Sequence, residues 1–343
     1  MRITNRQVYV TRMILEPGIS MLSKECNVIL NKKSTPPTGA EILKNVAGKD
    51  GILCTVSDRI DASVLDAAGP NLKVISSYSS GYDHIDVKEA TSRGIYVTFT
   101  SDIPAEATAD LTFALLFACA RNIVRADRFV REHKWKVGWA PNLMLGHDVY
   151  GTTLGIIGLG RIGSAVARRA KGFGMQILYS DQIRNYKMES DLGAKFVDLN
   201  ELLGQSDFVT IHANLNSKTS NLIDESKLQK MKRTTFLINT SRGQIVNETD
   251  LARALKNKQI AGAGLDVFGT EPLPSASPLL KMENVTILPH IGCATYQTRS
   301  RMAVAAAQNL LDVLNGREPN PAFVVNPDVR RAPPFSSTAT AQN

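Results

Sequence analysis

The sequence predicts an α/β protein of two domains, one of which binds a dinucleotide. Three observations carry this. Residues 153–181 read as a strand, a glycine turn, a helix and a second strand ending in an acid. Residues 7–100 alternate short apolar runs with helical stretches, the pattern of a small parallel sheet. The chain is 343 residues long and 43% hydrophobic, enough for two cores.

The glycine turn is the most informative stretch. Thr153 to Ile157 is a short buried strand, broken by Gly158-Leu159-Gly160-Arg161-Ile162-Gly163. Gly158 permits the tight turn, Gly160 lets backbone approach a pyrophosphate, and Gly163 lets the next helix pack close to the strand. That helix carries small or apolar residues at Ile162, Ala165, Val166, Ala170 and Phe173, and its N-terminal N–H groups face the phosphate charge. A second strand, Gln176 to Ser180, ends at Asp181, where a carboxylate can bond the ribose hydroxyls. The same charge repels a ribose 2′-phosphate, so NAD(H) is expected ahead of NADP(H). Arg184, three residues on, offsets part of this and leaves NADP(H) as an alternative.

The other elements follow in order. Strands are expected at Gln7 to Ile14, Cys26 to Leu30, Gly51 to Val56, Leu72 to Tyr78 and Ile95 to Phe99. Helices are expected at Gly18 to Lys24, at Gly39 to Val46 with Thr38 as its cap, at Ser63 to Ala68 and at Val87 to Ser92. Ala105 to Ala120 is a long apolar helix between the two α/β regions. Residues 121–148 are mixed, Arg-rich and then carrying Trp135 and Trp139, and read as a contact surface for another subunit. Later strands fall at Lys195 to Val197, Phe208 to Ala213, Thr235 to Asn239, Ala261 to Val267 and Val285 to Leu288. Residues 293–314 form a long helix returning to the first domain, and residues 327–343 read as a disordered tail.

Bulk properties narrow the function. The four cysteines form no C-x-x-C and read as reduced thiols, and the five histidines show no ligand spacing, so no metal is expected. Net charge is +8, but basic residues are interspersed with acidic ones and no aromatic platform accompanies them. A solvated basic surface that suits a small anionic substrate is expected, not nucleic acid. No apolar run is long enough for a bilayer span and no signal pattern opens the chain, so the expected compartment is the cytosol, with no membrane contact.

Three polar residues stand just past strand ends of the second half: Arg242 before Gly243, Glu271 before Pro272, and His290 after Pro289. Each alone is an ordinary surface or loop residue. Together, on the edge that carries the glycine turn, they supply what reduction of a 2-keto acid needs. A protonated histidine delivers a proton to the ketone oxygen. A carboxylate on its other nitrogen orients the ring and favours the charged form. An arginine fork holds the substrate carboxylate. Val56 and Ser79-Ser80-Gly81 also sit past strand ends, but taken alone read as ordinary turns.

At these residues the chain resembles the D-isomer-specific 2-hydroxyacid dehydrogenases, from about residue 7 to about residue 326. The motifs are Gly158-Leu-Gly-Arg-Ile-Gly163, Ile238-Asn-Thr-Ser-Arg-Gly243, Gly264-Leu-Asp-Val-Phe268 with Glu271-Pro272, and Leu288-Pro-His-Ile-Gly292. Within that family it is most similar to the glyoxylate/hydroxypyruvate reductases, through Ser80-Gly-Tyr-Asp-His-Ile-Asp86 and Trp139-Ala-Pro141. The resemblance implies catalytic roles for Arg242, Glu271 and His290. It implies substrate contacts from Val56, Ser80, Gly81 and Trp139 beside Arg242 and His290. It implies cofactor contacts from Thr108, His212, Thr219, Thr240, Asp266 and Gly292, in addition to Arg242, His290, the glycine turn and Asp181. It implies a flavodoxin-like substrate domain, residues 1–101 with 291–326, around a Rossmann domain of residues 102–290, whose segment 102–148 joins a homodimer. Asn214 stands where the family usually has proline. Two alternatives remain: another 2-hydroxyacid dehydrogenase, of lactate or phosphoglycerate type, and an NAD(H)-sensing corepressor-like binding protein.

Overall fold

The computed structural model describes residues 5–329. The chain divides into two compact units, one formed by the residues up to Pro104 together with those from Thr295 onward, the other by Ala105–Ala294. Both joins lie a few residues beyond those read from the sequence.

In the first unit, β1 (Gln7–Val10), β2 (Asn27–Leu30), β3 (Gly51–Cys54), β4 (Val74–Ser77) and β5 (Tyr96–Thr98) form a parallel sheet in the order β2-β1-β3-β4-β5. This is the flavodoxin-like order. β3 and β4 are buried along their whole length, β3 as an apolar run and β4 with the buried Ser76 and Ser77 closing it. On one face pack α1 (Glu16–Glu25) and α12 (Tyr296–Leu314), where Val8, Val10 and Leu53 meet Ala303, Ala307 and Leu310. A Cβ on Gly18 would stand 2.7 Å from the Ala303 carbonyl, so glycine is what lets these helices touch. The other face is covered by α2 (Gly39–Val46) and α3 (Ala62–Ala68), and α4 (Val87–Ser92) completes the helices of this unit. Thr38 caps α2 as expected: it accepts from the Glu41 N–H at 3.2 Å, and Glu41 accepts from the Thr38 N–H at 2.8 Å. β1 is shorter than expected, because Glu16 and Pro17 start α1 soon after it. Val329 is buried in this core, so the expected tail starts too early; its remainder, 330–343, lies outside the described residues.

The second unit holds β6 (Thr153–Ile157), β7 (Gln176–Ser180), β8 (Lys195–Phe196), β9 (Phe208–Ile211), β10 (Phe236–Asn239), β11 (Gly262–Leu265) and β12 (Val285–Ile287). They form one parallel sheet in the order β12-β11-β10-β9-β6-β7-β8. The order reverses at β6/β9, the topological switch point of a Rossmann fold. On one face α5 (Ala105–Ala120) and α7 (Arg161–Gly172) bury Leu116, Val166 and Phe113 against Ile156 and Ile238. On the other, α9 (Leu199–Gln205) and α11 (Glu248–Lys256) bury Leu202, Leu251 and Leu255 against Val209 and Leu237. Neither of these two helices was read from the sequence, although Asp198 and Asn247 cap them. Nor were α8 (Tyr186–Leu192), α10 (Glu225–Leu228) or α6 (Ile123–Arg131), the last of which lies in the mixed segment and buries none of its residues. Among the described residues no single helix is long and apolar enough to cross a membrane; α5 with α6 passes such a test only as a bent pair, and α5 is largely buried core.

Candidate active site

All three chemistry-bearing residues belong to the second unit and follow the carboxyl ends of adjacent parallel strands. Arg242 follows β10. The buried Asn239 shapes that turn: its side-chain amide donates to the Arg242 carbonyl at 2.9 Å and its oxygen accepts from the Ser241 N–H at 3.0 Å. The guanidinium donates to the Ser241 carbonyl at 2.8 Å. Sequence reasoning missed Asn239. Its signal was a lone asparagine closing an apolar strand.

Glu271 and His290 meet. The Nδ1 atom of His290 lies 2.7 Å from Oε2 of Glu271, while Oε1 accepts from the Phe268 N–H at 3.0 Å. Burial alone would raise the Glu271 pKa, but the bond and charge from His290, with smaller help from Phe268 and Arg242, outweigh it and hold the carboxyl below its usual range. Glu271 therefore stays ionised at neutral pH. With Nδ1 engaged, Nε2 is the nitrogen left for chemistry.

The loop carrying His290 is itself held. His290 adopts a left-handed φ of 54°, unusual for a residue with a Cβ. Its N–H donates to the Asp266 carbonyl at 2.9 Å, and the Asp266 carboxylate accepts from the N–H groups of Ile291 and Gly292, each at 2.8 Å. Asp266 is fully buried, and burial pushes its pKa up. Gly292 packs on both Asp266 and Thr108, with room for no more than a tight Cβ. Thr240 exchanges a hydroxyl bond of 2.9 Å with Thr112, whose hydroxyl donates to the Thr108 carbonyl.

The glycine turn has the geometry its spacing implies. Gly158 has φ +90°, a conformation that side chains resist, and a Cβ there would stand 2.9 Å from the His212 backbone. A Cβ on Gly163 would collide with the Gly158 carbonyl. Gly160, which precedes α7, faces open space. The Asp181 carboxylate accepts from the Leu159 N–H at 2.7 Å and the Gln182 N–H at 2.6 Å, which ties the end of β7 to the turn. His212, just past β9, has both ring nitrogens buried without a partner, and burial lowers its pKa to about 3, so it is a neutral imidazole. Thr219 closes the following loop, donating to the Asn214 carbonyl at 2.7 Å. Open space before a helix N-terminus, an acid at the neighbouring strand end and orphaned imidazole nitrogens fit a bound dinucleotide.

The remaining expected residues lie elsewhere. Val56, Ser80 and Gly81 belong to the first unit, past β3 and β4. There Ser79, read from the sequence only as part of a turn, donates to the Gly81 carbonyl and shares a bond of 2.8 Å with Ser77, which stands 3.2 Å from Nε2 of His84. Trp139 is 88% exposed on the segment after α6. Among the described residues no cluster of metal-ligating side chains forms, and all four cysteines are free thiols.

A Rossmann unit with an acid–base pair at its strand ends defines a nicotinamide-dependent dehydrogenase. Residues 113–292 match the D-isomer specific 2-hydroxyacid dehydrogenase NAD-binding domain. A glyoxylate reductase from Korarchaeum cryptofilum is 52% identical over 96% of this chain and 98% of its own length. A solved structure from Thermus thermophilus is 44% identical with a TM-score of 0.86, covering 93% of this chain and 99% of that one. An NADPH-dependent glyoxylate/hydroxypyruvate reductase from Sinorhizobium meliloti, solved with NADP and malonate, is 29% identical with a TM-score of 0.81, covering 96% and 100% of the two chains. The chain belongs to the D-isomer-specific 2-hydroxyacid dehydrogenase family, and it is an NAD(P)-dependent oxidoreductase.

Proposed function

We propose that this protein reduces glyoxylate and hydroxypyruvate to glycolate and D-glycerate, with NADH preferred. The observation that carries it is the His290–Glu271 pair at 2.7 Å beside the Arg242 turn, on the strand-end edge of a Rossmann sheet. Bound reduced nicotinamide supplies the hydride to the ketone carbon. Nε2 of His290 gives its proton to the developing alkoxide, and Glu271 stabilises the imidazolium before transfer. With 30% of its side chain exposed, His290 recovers the proton from water. The Arg242 guanidinium holds the substrate carboxylate. Backbone at Gly160 and the N-terminus of α7 hold the pyrophosphate in the turn that Gly158 and Gly163 shape, Asp181 holds the ribose hydroxyls, and Thr108, Thr240, Asp266 and Gly292 the nicotinamide end.

The protein works as a homodimer through the segment 102–148. Ile123, Val124, Val130, Trp135 and Leu145 are large apolar residues at least 46% exposed there, which supports this reading. Trp139 reaches the neighbouring subunit's substrate. Four free thiols agree with a reducing cytosol.

The test is His290→Ala, assayed for NADH oxidation with glyoxylate, hydroxypyruvate, pyruvate and phosphohydroxypyruvate. Turnover should fall by about 10²- to 10⁴-fold while the Kd for NADH holds. Normal turnover would refute the assignment, and a native preference for another keto acid would move the substrate.

A further inference from the structure

We propose that Glu189 sets the cofactor preference by withholding the Arg184 guanidinium from the adenosine ribose. This rests on the cofactor reading above. Arg184 lies three residues past Asp181, on a segment bound to the glycine turn at two points. The Leu159 N–H donates to Asp181 at 2.7 Å, and the Asn185 amide donates to the Leu159 carbonyl at 3.2 Å. An arginine rooted there is within side-chain reach of a ribose 2′-phosphate and, swung toward it, would favour NADP(H). The structure directs it elsewhere. Its Nε and one terminal nitrogen donate to the two Glu189 oxygens at 2.8 and 2.9 Å. The guanidinium also lies over the Tyr186 ring at 5.1 Å and the Phe196 ring at 5.9 Å from the centroids.

Glu189 is itself fixed. The Tyr179 hydroxyl donates to it at 2.6 Å, and that same hydroxyl accepts from the Asn185 N–H at 2.8 Å. The Glu189 side chain is only 19% exposed against 50% for Arg184, so the acid is the more enclosed partner of the pair. Specificity thus has two parts: Asp181 repels the phosphate, and Glu189 removes the cation that would attract it.

The experiment titrates NADH and NADPH separately by quenching of protein fluorescence, with no keto acid present. It therefore decides this point even if the reductase reading fails. E189Q keeps an acceptor for Tyr179 but loses the doubly accepting carboxylate. It should bind NADPH about three- to tenfold more tightly, with NADH as the internal reference. Adding R184M should abolish the gain, which separates release of the arginine from mere loss of a negative charge. R184M alone should leave the NADPH Kd unchanged, because the guanidinium is already withheld; this variant decides the matter if E189Q folds poorly. An unchanged NADPH Kd in E189Q, a gain that survives R184M, or weaker NADPH binding in R184M alone would each overturn the proposal.

Discussion

Replacing Asp266 with asparagine isolates the force that holds the His290 loop. The carboxylate accepts two N–H groups, from Ile291 and Gly292, at 2.8 Å each. An amide offers one oxygen, so its NH₂ must face the other N–H. The loss of one charge-assisted bond is worth about 1.5–3 kcal/mol, and a buried N–H left facing a donor costs about 1–3 kcal/mol more. Part of this is recovered, because the neutral amide escapes the burial that pushes the Asp266 pKa up. The balance is about 2 kcal/mol. His290 needs that hold, since its φ of 54° persists only where the surroundings impose it. Expressed through misplacement of Nε2, about 2 kcal/mol is roughly a thirtyfold fall in kcat at 1.36 kcal/mol per tenfold. The assay is NADH oxidation with saturating glyoxylate, beside a thermal melt to confirm folding. A kcat within twofold of the native value would show that the loop keeps His290 without the carboxylate, and the reasoning would fail.

Three further outcomes follow from the same geometry. Gly163→Ala forces a Cβ against the Gly158 carbonyl and should destabilise the second unit by about 1–3 kcal/mol and weaken NADH binding; an unshifted melting temperature would contradict it. Glu271→Gln should lower kcat while leaving the Kd for NADH alone. Because the Glu271 pKa is depressed in the folded chain, its contribution to stability is present above about pH 4.3 and lost as pH falls through the lower folded value, so native and variant melts should converge in acid; a gap that persists or widens there would exclude the pairing as its source. Ser79→Ala removes the hydroxyl that holds the Gly81 carbonyl and should raise the KM for glyoxylate about fivefold, corresponding to one hydrogen bond of about 1 kcal/mol, with the Kd for NADH unmoved; an unchanged KM would remove Ser79 from the substrate loop.

What could be read from the sequence depended on how strongly burial constrains residue choice. β3, β9, β10 and β11 are buried at every position and show as mainly apolar runs, while β4 is equally buried but ends in Ser76 and Ser77. The glycine turn was legible because only glycine satisfies the φ at 158 and the collision at 163. The helices α8, α9, α10 and α11 were not read, although α3 and α4, of seven and six residues, were, so length alone does not separate them. α6 was missed because it buries no residue in a single chain, so its apolar positions match no internal core.

The site divides along the same line. Arg242, Glu271 and His290 were legible as polar residues in the loops that follow apolar strands, before a glycine, a proline and a glycine-bearing turn. The residues that aim them were far less so. Asn239, which shapes the Arg242 turn, and Ser79, which holds Gly81, act through backbone groups whose positions no side-chain pattern announces. Asp266 could be named only through resemblance, yet its carboxylate accounts for the loop that presents His290. Chemistry-bearing residues are chosen by type, and type is visible in sequence. Residues that orient them are chosen by where a backbone N–H or carbonyl happens to point, and that is set by the fold. The strained φ of His290 belongs to the second kind: the imidazole advertises a proton donor, but only the Asp266 clamp explains why the chain tolerates it there.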